Sequence, residues 1–141
     1  MAFASSSTNL VADDTNGYTD VFVRDLTNNT TTRVSVGSDG QEGTDYSDSP
    51  SISGDGNRVA FRSGVAFVPE DTGNGYQIYV RDRATNQTVL VSKSSSGQPG
   101  NDTSDDPYIS ADGRYVAFHS SASNLVPGDA NGVNDVFVHE L

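Results

Sequence analysis

The chain has 141 residues and 14.9 kDa, the length of one ordinary domain. Eight Lys and Arg against 19 Asp and Glu give a formal charge of -11, which argues against nucleic acid or an anionic membrane surface as partner, since both need clustered basic residues. No apolar run approaches the roughly 18 residues of a membrane-spanning helix, no charged-then-apolar leader opens the chain, and without Cys there is neither disulfide nor thiolate chemistry.

The predicted elements are short and extended. Asp20-Asp25 is a strand, and a polar connection, Thr27-Thr30, leads to a second at Thr31-Val36, where Thr32, Val34 and Val36 alternate. Pro50-Ser53 is a third. Asp55-Gly56 then marks a two-residue hairpin into Arg58-Arg62, with Val59 and Phe61 on one face. From there the pattern starts again. VFVRDL at 21-26 returns as IYVRDR at 78-83 and as VFVHEL at 136-141, so Val21 to Ile78 is 57 positions and Ile78 to Val136 is 58. SPSISGDG at 49-56 returns as DPYISADG at 106-113, and Ala2-Leu26 returns as Ala117-Leu141. β-Branched and aromatic residues fill the strands and no segment has a helical period, so the fold class is all-β.

A four-stranded antiparallel unit in tandem predicts propeller blades. Ser51-Phe61 reads S-x-S-x-D-G-x-x-V-A-F, Ser110-Phe118 repeats its core, and Asp20-Leu26 and Asp135-Leu141 read D-V-F-V-(R/H)-(D/E)-L. The middle copy keeps Tyr79, Val80, Arg81 and Asp82. These residues resemble the TolB-type β-propeller repeat, a relative of the WD-repeat blade, with longer loops than that family's usual ones. The resemblance implies a propeller of about 57 residues per blade and a secreted or periplasmic origin. The chain itself carries no address, and the resemblance leaves function open, because such propellers serve as scaffolds, binding modules or enzyme appendages.

Strand counting divides the single repeat domain, 1-141, into an incomplete blade at 1-36, a full blade at 49-93 and an incomplete blade at 106-141. The first lacks its inner strand and the last its outer one. Two and a half blades do not close a ring, and bare sheet edges invite pairing. Copies of the chain are therefore expected to close a propeller together; the alternative is an excerpt from a longer repeat protein.

The long connections, roughly 5-20, 37-49, 64-77, 94-106 and 121-135, hold 14 of the 19 acids and none of the basic residues. They are expected to form one acidic rim open to a cation, a basic peptide or a glycan. Asp14, Asn16 and Asp20 recur as Asp129, Asn131 and Asp135 in the pattern D-x-N-G-x-x-D. Carboxylates at alternating positions around a Gly turn are candidate calcium ligands; the same residues also suit an Asx turn, in which Asn and Asp bond their own backbone. The middle copy has Glu70, Asp71, Asn74 and Gly75 but ends in Gln77. Tyr18, Tyr46, Tyr76 and Tyr108 lie in or beside these loops, as sugar-stacking platforms or as packing at blade edges. His119 and His139 have no metal-ligand spacing, and no catalytic constellation stands out. The expected function is a non-enzymatic scaffold or binding module, with a lectin-like propeller as the alternative.

Overall fold

A computed structural model describes residues 1-72 and 75-141; Asn74 of the middle loop lies outside them. Ten strands run in chain order: β1 Ala2–Ser5, β2 Asp20–Asp25, β3 Thr30–Arg33, β4 Ser47–Ile52, β5 Arg58–Ser63, β6 Gln77–Asp82, β7 Gln87–Leu90, β8 Ser104–Ile109, β9 Tyr115–Ser120 and β10 Asp135–Glu140. They form three antiparallel sheets, β1-β2-β3, β4-β5-β6-β7 and β8-β9-β10. Among the described residues there is no helix, and the all-β reading holds. The three sheets do not close into a ring within one chain.

Local chemistry explains the tight turns. In Ser53-Gly54-Asp55-Gly56 the Ser53 hydroxyl donates to the Asp55 carboxylate at 2.6 Å, which also accepts the Asn57 amide; these bonds hold the Asp55 carboxyl down at about 2. Gly56 takes φ 75°, a conformation that costs a residue without Cβ little. Ser110, Asp112 and Gly113 repeat the arrangement. In the β2–β3 and β6–β7 turns the left-handed residue is an asparagine, Asn29 at φ 56° and Asn86 at φ 57°. The turn opens on Asp25 or Asp82, whose carboxylate accepts two of the turn amides that come after it.

Two strands differ from their expected form. The predicted Pro50-Ser53 strand begins earlier, at Ser47, and passes through a bulge between Asp48 and Ser51 with Ser49 at φ 50°. β8 repeats that bulge, with Asp106 at φ 48°. The proline directly after each of these residues cannot donate to the ladder, and a bulge accommodates it. The predicted Thr31-Val36 strand ends at Arg33, and Arg33, Val34, Ser35 and Val36 are all buried instead of alternating. Val34 and Ser35 still bond to Val21 of β2, and past Ser35 the chain runs along the next sheet. There the Thr88 hydroxyl donates to the Val36 carbonyl at 2.6 Å and Arg81 to the Gly37 carbonyl at 3.0 Å.

The middle sheet is covered on both faces. Val59, Phe61, Tyr79 and Leu90 pack against Val21, Val23 and Val34 of the first sheet. Ala60, Ile78, Val80 and Val91 pack against Ile109, Val116, Phe118 and Leu125 of the third. Successive residues of β5 and β6 thus enter different cores, which is why those strands read as apolar runs. Phe61 stacks on Tyr79 with ring centroids 6.0 Å apart and meets Phe67 edge-on. Phe61→Ala is expected to lower unfolding free energy by about 3–5 kcal/mol in a denaturant titration; a loss below about 1 kcal/mol would show that the first two sheets are not held by this cluster.

Candidate functional site

The most heavily charged buried place in the chain is built around Arg33, the last residue of β3. Its guanidinium Nη1 lies 2.7 Å from Glu42, 3.4 Å from Asp14 and 3.5 Å from Asp20, and its Nη2 donates to the Asp13 carbonyl at 2.9 Å. Arg33, Asp14 and Asp20 are all buried. The loop before β2 supplies Asp14, β2 itself supplies Asp20, and Glu42 comes from the connection after β3. Asn16 organises that first loop: its amide donates to Asp20 at 2.8 Å and to the Gly43 carbonyl at 3.0 Å, and its carbonyl accepts the Tyr18 amide at 2.8 Å. This is the Asx turn that the spacing allowed. Two of the candidate calcium ligands, Asp14 and Asp20, lie within 3.5 Å of the Arg33 guanidinium.

The balance of charge is nevertheless acidic. Burial pushes the Asp14 carboxyl above its ordinary value of 3.8; Asp20 and Glu42 add to the rise and Arg33 opposes it. Among the described residues, one Asp14 oxygen is buried without a hydrogen-bond donor. Glu42 moves the other way, held low mainly by the Thr15 hydroxyl, with Arg33 and the Thr15 amide contributing.

The three copies treat this place differently. Register puts Leu90 opposite Tyr79 where the first sheet has Arg33 opposite Phe22. Gln77 replaces Asp20, and the Tyr79 hydroxyl donates to Asp71, the counterpart of Asp14. The middle copy is therefore largely neutralised, by sequence changes that compensate one another. The third copy keeps the acids but, among the described residues, has no strand beyond β10. Asn131 still donates to Asp135 at 2.7 Å and accepts the Val133 amide at 3.1 Å, so the Asx turn forms there too, out in solvent. Among the described residues, no group of three or more His, Asp or Glu side chains is arranged to hold a metal ion.

The expected acidic rim is narrower than the sequence count implied. Asp48 and Asp105 belong to β4 and β8, and both engage Arg62 of β5, at 2.8 Å and 2.6 Å. The same guanidinium lies 4.4 Å from the Tyr76 ring centre, a cation–π contact. Tyr18 and Tyr46 meet edge-on at 5.3 Å, while Tyr108 projects from β8 into solvent. His119 faces Asp106 at 3.0 Å on an exposed surface, and burial together with Lys93 lowers the His139 pKa. Sequence spacing missed Arg33 and Arg62 as members of the acidic groups, because both lie on strands and meet those acids only through the fold.

No family model matches the chain, and no curated protein matches it. One solved structure with similarity is a provisionally named TolB from Agrobacterium tumefaciens, 17% identical, with a TM-score of 0.48 over 90% of this chain and 52% of that one. The chain spans about half the length of that structure.

The stability of the charge cluster depends on pH with a definite sign. Asp14 has a raised folded-state pKa, so its ionised form costs stability at neutral pH, and the cost disappears once pH falls below about 3.8, where both states are protonated. Asp14→Asn should therefore raise the melting temperature at pH 7, with the gain closing as pH falls toward about 3.5, whereas Arg33→Met should lower it because three acids lose their counter-charge. A melt of Asp14→Asn that is unchanged or lower at pH 7 would show that its attraction to Arg33 outweighs burial.

Proposed function

We propose that the chain is a non-enzymatic β-propeller scaffold or binding module, whose copies complete one another into a closed ring and present an acidic loop face to a cationic ligand. The observation that carries this reading is the unequal burial of equivalent residues. Val21 and Val23 of β2 are 0% and 3% exposed against the middle sheet, while Val136 and Val138, their counterparts in β10, are 78% and 68% exposed. Among the described residues this apolar face is bare and β10 is paired on one side only, with β9, which gives both a surface and an edge to bury. A head-to-tail contact between the third sheet of one copy and the first sheet of the next supplies the missing cover, and such a contact gives a ring when its rotation closes.

The ligand side of the reading comes from charge. The net charge of -11 is carried largely by loop-end acids, and a cation, calcium included, meets the fewest competitors at Asp129, Asn131 and Asp135, which have no counterpart of the Arg33 contacts among the described residues. Light scattering on a sizing column is the test of assembly. An integral multiple of 14.9 kDa is expected, and Val136→Asp with Val138→Asp should return the monomer. A folded monomer of the unaltered chain would overturn ring assembly and leave the excerpt of a longer repeat protein.

A further inference from the structure

The connections between the middle and third sheets leave a groove of about 450 Å³, within the roughly 300–1,000 Å³ of small-ligand sites. One wall is the β7–β8 connection, with Ser96 and Gln98. The other is the β9–β10 connection, with Ser123 and Asn124, and Val126 and Pro127 supply apolar surface. Hydrogen bonds fix both walls. The Ser94 amide donates to the Gln98 carbonyl at 2.8 Å and the Gln98 amide to the Ser94 hydroxyl at 3.1 Å, closing the first connection on itself. Asn124 ties the second wall to it: its side-chain carbonyl accepts the Asn101 amide at 3.0 Å, and its amide donates to the Pro99 carbonyl at 2.9 Å.

The groove is a local departure from the repeat. At the junction of the first and middle sheets, the residue 57 positions before Asn124 is Phe67. Its ring meets Phe61 and Tyr79 edge-on, and its tip lies 3.3 Å from where a Cβ on Gly43 would stand. Gly100 is the counterpart of Gly43, but Val65 and Phe67 have become Ala122 and Asn124, so side-chain volume is lost and polar groups are gained. The chemistry of the lining is equally particular. Although the chain carries a charge of -11, no described residue that lines the groove is charged. The Ser96 and Ser123 hydroxyls both donate and accept, and the exposed Gln98 side-chain amide makes no hydrogen bond to any described residue. A cation finds no carboxylate there. An anion meets no basic group and the repulsion of the net charge.

We infer that this groove binds a short neutral oligosaccharide. A pyranose ring carries hydroxyls that donate and accept together with C–H surface, which is the mixture the lining offers. Gln98 and Ser96 take adjacent hydroxyls from one wall and Ser123 takes a hydroxyl from the other, while Val126 and Pro127 pack on C–H surface. Asn124 is a positioning residue, because both of its polar groups are engaged by Asn101 and Pro99. The inference goes beyond the cationic ligand of the proposed function and needs neither ring closure nor the acidic face.

The probes are maltotriose, cellotriose and triacetylchitotriose, titrated into the full chain by calorimetry and followed in amide NMR spectra. Saturable binding of at least one of these neutral sugars is expected, with movement of the Gln98 side-chain amide signals. Gln98→Ala should weaken that binding about tenfold through the loss of two hydrogen bonds. Asn124→Phe, which puts back the aromatic ring of the first junction, should abolish it. Gln98 is exposed and outside both cores, so Gln98→Ala should keep the wild-type melt and decides the matter even where Asn124→Phe misfolds. Absence of saturable binding for all three sugars would overturn the inference. Binding that Gln98→Ala leaves unchanged would overturn the site. Tighter, salt-sensitive binding of chitotriose, the cationic de-acetylated trimer, would assign the sugar to the acidic face and overturn the uncharged groove.

Discussion

The first and middle sheets each depend on a strand lying outside β2 or β6. The reason is local. β2 and β6 each open on a polar residue at the sheet margin, Asp20 or Gln77, and the residue after it has an amide pointing outward. A serine from the outer strand satisfies both groups at once, Ser35 in the first sheet and Ser92 in the second. Once the outer strand is in place, its continuation bridges to the neighbouring sheet, as Val36 and Gly37 do at Thr88 and Arg81. Pairing within a sheet and docking between sheets are thereby one event. A buried backbone amide without that partner would carry the cost of an unsatisfied donor.

The charged groups obey the same geometry. Arg33 is the last residue of an outer strand, and its side chain closes the end of the sheet against Asp14, Asp20 and Glu42. Replacing the arginine by Leu90 in the middle copy goes with the loss of one acid to Gln77 and with a tyrosine hydroxyl for Asp71. Covarying changes of this kind within one chain are what a shared buried site imposes, since a lone charge left behind would be expensive. Arg62 plays a comparable part nearer the bulges, bringing Asp48 and Asp105 of adjacent sheets to one guanidinium and so tying the middle sheet to the third. Both arginines convert a list of acids into a small number of internal contacts, and the surface left acidic is smaller than the formal charge indicates.

Strain is repeated too. Ser49 and Asp106 both hold positive φ just before a proline, at the same point of β4 and β8. Two copies with one unusual conformation make it a property of the repeat, here the means by which an inner strand accommodates a proline without breaking the sheet. The bulge shifts the strand start to Ser47, where its hydroxyl meets that of Ser63 at 2.8 Å, and Ser104 meets Ser120 at 2.9 Å in the third sheet.

The sequence by itself determined the number and kind of strands, the Asp-Gly turns and the unequal first and last units. These depend on alternation and turn chemistry over a few residues, and repetition at 57 to 58 positions made each strand legible more than once. It also allowed the Asx turn at Asn16 and Asn131, an interaction that closes within the span of one loop. The tertiary structure decided which basic groups meet these acids, because Arg33 and Arg62 reach their partners across 9 to 43 residues of chain. It decided that Arg33 to Val36 are all buried, since that segment lies between two sheets and a period of two describes only one. And it set Val136 and Val138 in solvent while Val21 and Val23 are enclosed. Identical local sequence has no information about which neighbour is present, and burial belongs to the neighbour.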